Sequence, residues 1–192
     1  MKEKLPFDPG YSDCIEHIGK TFDELHGALV SIHNPKQKRA RFAALYPRIV
    51  KTVEENVAFY LGCLLWAAYL KNKPGVEIEG NTCLSPEYDR ENSLYEINAL
   101  IDYVSVGLNR DSKYYLNKTY EPSPLCIRIL EVYKDFLDKN EGLHKTKSTD
   151  DILLPKSIEA LGTQELEGIF KDIKAAIAAK DILSLMKYGN KI

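Results

Sequence analysis

The most apolar part of the chain is the run from Val57 to Leu70, in which no residue carries a charged or strongly polar side chain. Such a run favours the buried middle of a helix. Apolar residues at spacings of three and four extend its inward face back to Phe42. Because Pro47 falls within this pattern, we expect either one helix kinked there or two helices that meet there. Any part of the run that the fold leaves exposed would suggest a dimer interface.

Other stretches repeat the three-and-four spacing of amphipathic helices, and several begin with a capping residue followed by proline. The sequence therefore predicts an all-α fold, a single-domain antiparallel bundle of about six or seven helices around Val57–Leu70. This domain is expected to span residues 1–192. Residues 1–10 are predicted to form an N-terminal arm and residues 141–156 a flexible linker.

Composition places the chain among ordinary globular proteins, with 192 residues, 44% hydrophobic and 28% charged. A formal net charge of −2 gives no overall attraction to nucleic acid or to an anionic membrane. The longest apolar run is shorter than the roughly 20 residues that a membrane span needs. The first ten residues, MKEKLPFDPG, do not resemble a secretory signal. A cytoplasmic location without membrane association is therefore expected.

A basic segment precedes the apolar run. No acidic residue occurs between Leu25 and Val53, and the candidate anion- or nucleic-acid-binding residues in this interval are Lys36, Lys38, Arg39, Arg41 and Arg48. Their charges could meet phosphates, although no aromatic residue lies within the KQKRAR cluster to stack on bases. The alternatives are a solvated helix start, or pairing with the acidic stretch between Glu77 and Glu96.

A tyrosine-rich loop is predicted between two later helices. Its candidate interaction residues are Arg110, Tyr114, Tyr115 and Tyr120. Tyrosine and arginine are the residue types enriched at binding hot spots. The alternative is that the tyrosines fold over the end of the bundle, with their hydroxyl groups in water.

Metal binding has one weak signal, because Asp23 and His26 stand three residues apart on the first predicted helix. Helical metal sites pair Glu-x-x-His motifs from two helices, and the one histidine outside the first predicted helix, His144, lies in a predicted loop. No metal or other cofactor is predicted. The four cysteines form no Cys-x-x-Cys pair, so buried free thiols are expected.

Catalytic motifs are missing from the sequence, which contains no GxSxG, no HExxH and no glycine-rich phosphate loop. The long helices resemble the HEPN class of helical bundles in architecture. However, no arginine here is followed four to six residues later by the histidine of that class's catalytic motif. The resemblance therefore implies no active site, and the sequence argues against an enzyme.

Three hypotheses for function follow. The first is a helical protein-interaction module that binds a protein partner or associates with itself as a homodimer. The second is a nucleic-acid-associated helical protein that contacts phosphates through the basic segment 36–51. The third is a helical bundle that binds a small molecule or a metal.

Overall fold

The computed structural model describes residues 31–73, 124–140 and 152–192, together with positions 20, 23, 24, 27, 28 and 98. In these ranges the chain forms helices α1 (Pro35–Lys71), α2 (Pro124–Lys139), α3 (Lys156–Glu159) and α4 (Thr163–Ala178). A 3₁₀ helix, Ile182–Lys191, follows α4 and is called the clasp segment below. The described residues contain no strand, and the predicted all-α fold is confirmed.

Helix α1 is 37 residues long and is capped at both ends by asparagine. The Oδ1 atom of Asn34 accepts hydrogen bonds from the backbone amides of residues 36 and 37, at 3.0 and 3.3 Å. At the other end, the side chain of Asn72 donates to the carbonyl of Ala68 at 2.9 Å. The Asn34 bonds satisfy amides that a helix start leaves without intrahelical partners. The Ala68 carbonyl also accepts from the backbone amide of Asn72, so the side chain adds a second hydrogen bond there. The sequence predicts both bounds, because the Asn34-Pro35 pair favours a helix start and the stretch from Lys71 to Gly75 favours a helix end.

Pro47 lies inside α1, so the alternative of two separate helices is wrong. Proline removes one backbone donor from a helix, which normally costs about 3 kcal/mol. Here Pro47 is exposed, while Phe42, Tyr46 and Val53 are buried on either side of it in the sequence. Packing of these side chains therefore holds the helix together across the missing hydrogen bond.

The middle of α1 is enclosed on all sides, since every residue from Asn56 to Leu70 is buried. This includes Phe59, Trp66 and Tyr69, which are at most 8% exposed although they lie away from the main apolar face. No residue of the run from Val57 to Leu70 is exposed, so the run itself does not suggest a dimer interface. Among the described residues, Leu153 is the one large hydrophobic side chain in the exposed class.

Stacked aromatic rings join α1 to its neighbours. Tyr60 of α1 stacks on Tyr133 of α2, with ring centroids 4.4 Å apart. Tyr69 stacks on Phe170 of α4 at 4.1 Å, with the two rings nearly parallel. Such pairs add about 0.5–1.5 kcal/mol each to the effect of burial alone. Helix α1 is therefore the element on which both α2 and α4 pack.

The segment before α3 is tied to the end of α2. The side chain of Asn140 donates to the carbonyl of Leu153 at 2.9 Å and accepts from the amide of Leu153 at 2.8 Å. The neighbouring Ile152 and Leu154 are buried. These residues belong to the predicted linker 141–156, of which residues 141–151 lie outside the described residues, as do residues 1–10 of the predicted arm.

The clasp segment crosses the surface formed by α1, α2 and α4. Leu185 is 1% exposed and faces Gly62, where an added Cβ would lie 3.1 Å from the leucine Cδ1 atom. At Gly189, a Cβ would lie 2.8 Å from Leu125 of α2. The sequence predicts an α-helix here that ends at Gly189, but the segment is a 3₁₀ helix that continues to Lys191.

In the part of the chain that the structure describes, no helix combines the length and the apolar character needed to cross a lipid bilayer.

Candidate basic interaction surface

The first turns of α1 carry the predicted cations, which we call the basic surface, namely Lys36, Lys38, Arg39, Arg41 and Arg48. Lys38 is half-buried and the other four residues are exposed. No acidic residue occurs in the first turn of the helix. Because the amide groups at a helix N-terminus carry a partial positive charge, the cations and the backbone contribute a field of the same sign. This end of α1 therefore attracts anions.

This charge pattern is opposite to the one that stabilises helices. A cation near a helix N-terminus is unfavourable, and an acid there is favourable by about 0.3–1 kcal/mol. The Asn34 cap and Pro35 at the first helical position secure the start of α1 by other means. The basic residues of the first turn, Lys36 and Lys38, therefore do not serve the stability of the helix.

Continuity of α1 through Pro47 brings Arg41 and Arg48 to one face. Residues seven apart in an α-helix lie about 20° from each other around the axis and about 10 Å apart along it. Lys38 lies about 60° from Arg41, whereas Lys36 lies about 140° away. The five predicted residues thus surround the helix start, and only Lys38, Arg41 and Arg48 form a contiguous row.

The members of the basic surface differ in their partners. Lys36, Lys38 and Arg41 make no ion pair within the described part of the chain. Arg48 is paired with Glu24 at 2.7 Å, and both side chains are about half exposed. Arg39 already interacts within the molecule. Within the row, Arg48 is therefore paired with a carboxylate, whereas Lys38 and Arg41 make no ion pair with described residues.

Glu24 is the residue of this surface that the sequence did not reveal. It precedes the acid-free interval by one position and contacts Arg48 across 24 residues of sequence. Only its position, as the last acidic residue before the interval, could have suggested the contact.

Of the other predicted site residues, the structure describes Asp23 alone. Five predicted site residues lie outside the described ranges, namely His26, Arg110, Tyr114, Tyr115 and Tyr120. Asp23 is exposed on a helical turn. Across the described positions, no group of three or more histidine, cysteine, aspartate or glutamate side chains is placed to hold a metal ion.

Two buried cysteines have the environment of structural thiols. Cys63 and Cys126 are free and buried, as the sequence predicted for them. Burial raises the pKa of the Cys126 thiol, and the nearby charge of Glu54 raises it further. The thiol therefore stays protonated near neutral pH, and this disfavours a role as a nucleophile.

Comparisons with known proteins add no family to this description. No protein-family model, curated protein or solved structure matches the chain.

Proposed function

We propose that the chain is a helical protein-interaction module that binds an acidic segment of a partner protein through the basic surface of α1. The observation that carries this proposal is the combination of Lys36, Lys38 and Arg41, which make no ion pair with described residues, on a helix start that lacks acidic residues. Carboxylates of the partner would form ion pairs with these cations. They would also neutralise the partial positive charge of the helix N-terminus.

The contact between Arg48 and Glu24 supports a carboxylate as the ligand. It is an example, within the chain, of a glutamate that pairs with one arginine of this row. Each exposed ion pair adds only about 0.2–1 kcal/mol. A row of them nonetheless accelerates association and selects partners of opposite charge.

Nucleic acid is the second candidate, because Arg41 and Arg48 lie exposed on one face and guanidinium groups bind phosphates as well as carboxylates. One observation favours an acidic protein instead. Phe42 and Tyr46, the aromatic residues of this part of α1, are buried and offer bases no stacking surface.

The test is fluorescence anisotropy with three labelled probes at low and high ionic strength, namely a glutamate-rich peptide, a single-stranded RNA and a DNA duplex. The proposal expects salt-sensitive binding of the peptide. In the Lys36→Glu/Arg41→Glu variant, affinity should fall about tenfold or more, because two attractions become repulsions. Its thermal stability should be equal or higher, because Lys36 lies in the first turn of α1, where glutamate is favoured over a cation.

The matched control is Lys156→Glu/Lys171→Glu, which changes net charge by the same amount at exposed positions of α3 and α4. This control should bind the peptide like the wild type. An equal loss in both variants would show that overall charge, and not the basic surface, governs binding. Tight binding of RNA or DNA without binding of the peptide would replace the proposal with the second candidate, and no binding to any probe would refute both.

A further inference from the structure

The clasp segment is held by contacts with other elements. Leu185 is buried, and Gly189 packs closely on Leu125. Three further apolar side chains of the segment are partly buried against the core, namely Ile182, Met186 and Tyr188. Lys187 and Lys191 form ion pairs with α4, in which every side chain is at least one-third exposed. The stability of the segment therefore comes from the helices on which it packs.

Its backbone conformation points the same way. A 3₁₀ helix seldom exceeds three or four residues, because its hydrogen bonds have poorer geometry than those of an α-helix. The clasp segment has ten residues in this conformation. We conclude that docking, and not local stability, imposes its shape, so that it depends on the groove between α1, α2 and α4.

The connection to α4 is short and strained. Lys180 has a φ of 54°, in the left-handed region that favours glycine. The amides of Lys180 and Asp181 donate to the carbonyls of Ile177 and Ala176 at 3.0 and 2.9 Å. This is the hydrogen-bond pattern of a Schellman turn, with lysine at the position where glycine is usual. A short hinge under strain favours exchange of the element that it connects.

We propose that the groove between α1, α2 and α4 also receives the clasp segment of a second copy of the chain, which gives a dimer by reciprocal exchange. The groove is complementary to this occupant. Gly62 leaves room for Leu185, and the carboxylates of Asp172 and Glu165 pair with Lys187 and Lys191. The same contacts form between copies as within one, and opening the hinge relieves the strain at Lys180. The dimer fraction then depends on protein concentration.

Two substitutions at the hinge move the equilibrium in opposite directions. Lys180→Gly removes the strain of the closed form, and the dimer fraction after refolding at high concentration should fall about tenfold. Lys180→Pro cannot adopt a positive φ and disfavours the helical conformation of Ala179, so it opens the hinge. This variant should be mostly dimeric by light scattering coupled to size-exclusion chromatography, with an unchanged helical circular dichroism spectrum.

A double variant, Lys180→Pro/Leu185→Ala, identifies the exchanged element. It should return to monomer, because Leu185 anchors the segment in the groove. Persistence of the dimer would place the interface elsewhere and overturn the proposal, as would a folded, monomeric Lys180→Pro protein. If Lys180→Pro does not fold, the wild type and Lys180→Gly decide, and equal dimer fractions in these two, zero included, also overturn it.

Discussion

Replacing Asn56 with valine is expected to stabilise the protein, because the asparagine amide oxygen is buried without a donor from the described part of the chain. Asn56 is 1% exposed in the enclosed part of α1. Its Nδ2 atom donates to the carbonyl of Thr52 at 2.7 Å, whereas no described residue donates to Oδ1. A buried acceptor left without a partner costs about 1–3 kcal/mol.

The size of the effect follows from three contributions. Asn56→Val removes the unsatisfied oxygen and leaves helix propensity nearly unchanged, since the two residues rank together. It loses the Nδ2 hydrogen bond, worth ~0.5–1.5 kcal/mol, but the Thr52 carbonyl keeps its backbone hydrogen bond in the helix. Burial of the valine methyl groups adds to the gain. We expect the free energy of unfolding to rise by about 1–2 kcal/mol.

Urea unfolding followed by circular dichroism measures this change as a higher midpoint at constant slope. Asn56→Asp is the control, because it keeps the shape of the side chain and places a charge in the core. It should destabilise the protein by about 3 kcal/mol or more. If valine lowers the midpoint at constant slope, Oδ1 has a stabilising partner and the reasoning is wrong.

Other predictions concern α4 and the clasp segment. Gly168→Ala should raise the free energy of unfolding by ~0.5–1 kcal/mol, since Gly168 is exposed within α4 and the new Cβ meets nothing within 4 Å. Gly189→Ala should lower it by ~1–2 kcal/mol, because the new Cβ would lie 2.8 Å from Leu125; equal thermal shifts in the two variants would contradict this contrast. Hydrogen bonds from the clasp segment, above all from Lys187, hold the pKa of Asp172 below its usual value. Their stabilisation is thus present above about pH 4 and lost as the pH falls through the lowered pKa. Asp172→Asn should remove this part of the acid dependence of the melting temperature.

The parts of the fold that the sequence predicted are those decided by local interactions. Asn34 and Pro35 fix the start of α1, and Asn72 fixes its end, through contacts that span four residues or fewer. The buried side of α2, from Cys126 to Leu137, follows from spacing alone. For the basic surface, the seven-residue spacing of Arg41 and Arg48 predicts that they share a face if α1 continues through Pro47.

The parts that could not be predicted depend on distant contacts. Whether Pro47 breaks the helix depends on how many side chains pack around it. The spacing of apolar residues in the sequence does not predict that packing. Residues at spacings of three and four fit a 3₁₀ helix and an α-helix alike, so docking against Gly62 and Leu125 decides the form of the clasp segment. The contact between Glu24 and Arg48 joins separate elements and has no local sequence signal.

The two ends of α1 explain why its basic start is the best candidate for function. From Asn56 to Leu70 the helix is buried, and each large apolar side chain there contributes about 1.5–3 kcal/mol. This stabilisation exceeds the roughly 3 kcal/mol cost of Pro47 and the ~0.3–1 kcal/mol cost of each cation near the N-terminus. The fold therefore tolerates the cations of the first turn, Lys36 and Lys38, which add nothing to its stability. Departures of this kind from local stability are expected at sites retained for binding. The Lys36→Glu/Arg41→Glu variant tests this explanation. Higher stability would show that the cations do not serve the fold, and loss of binding would show that they serve the partner.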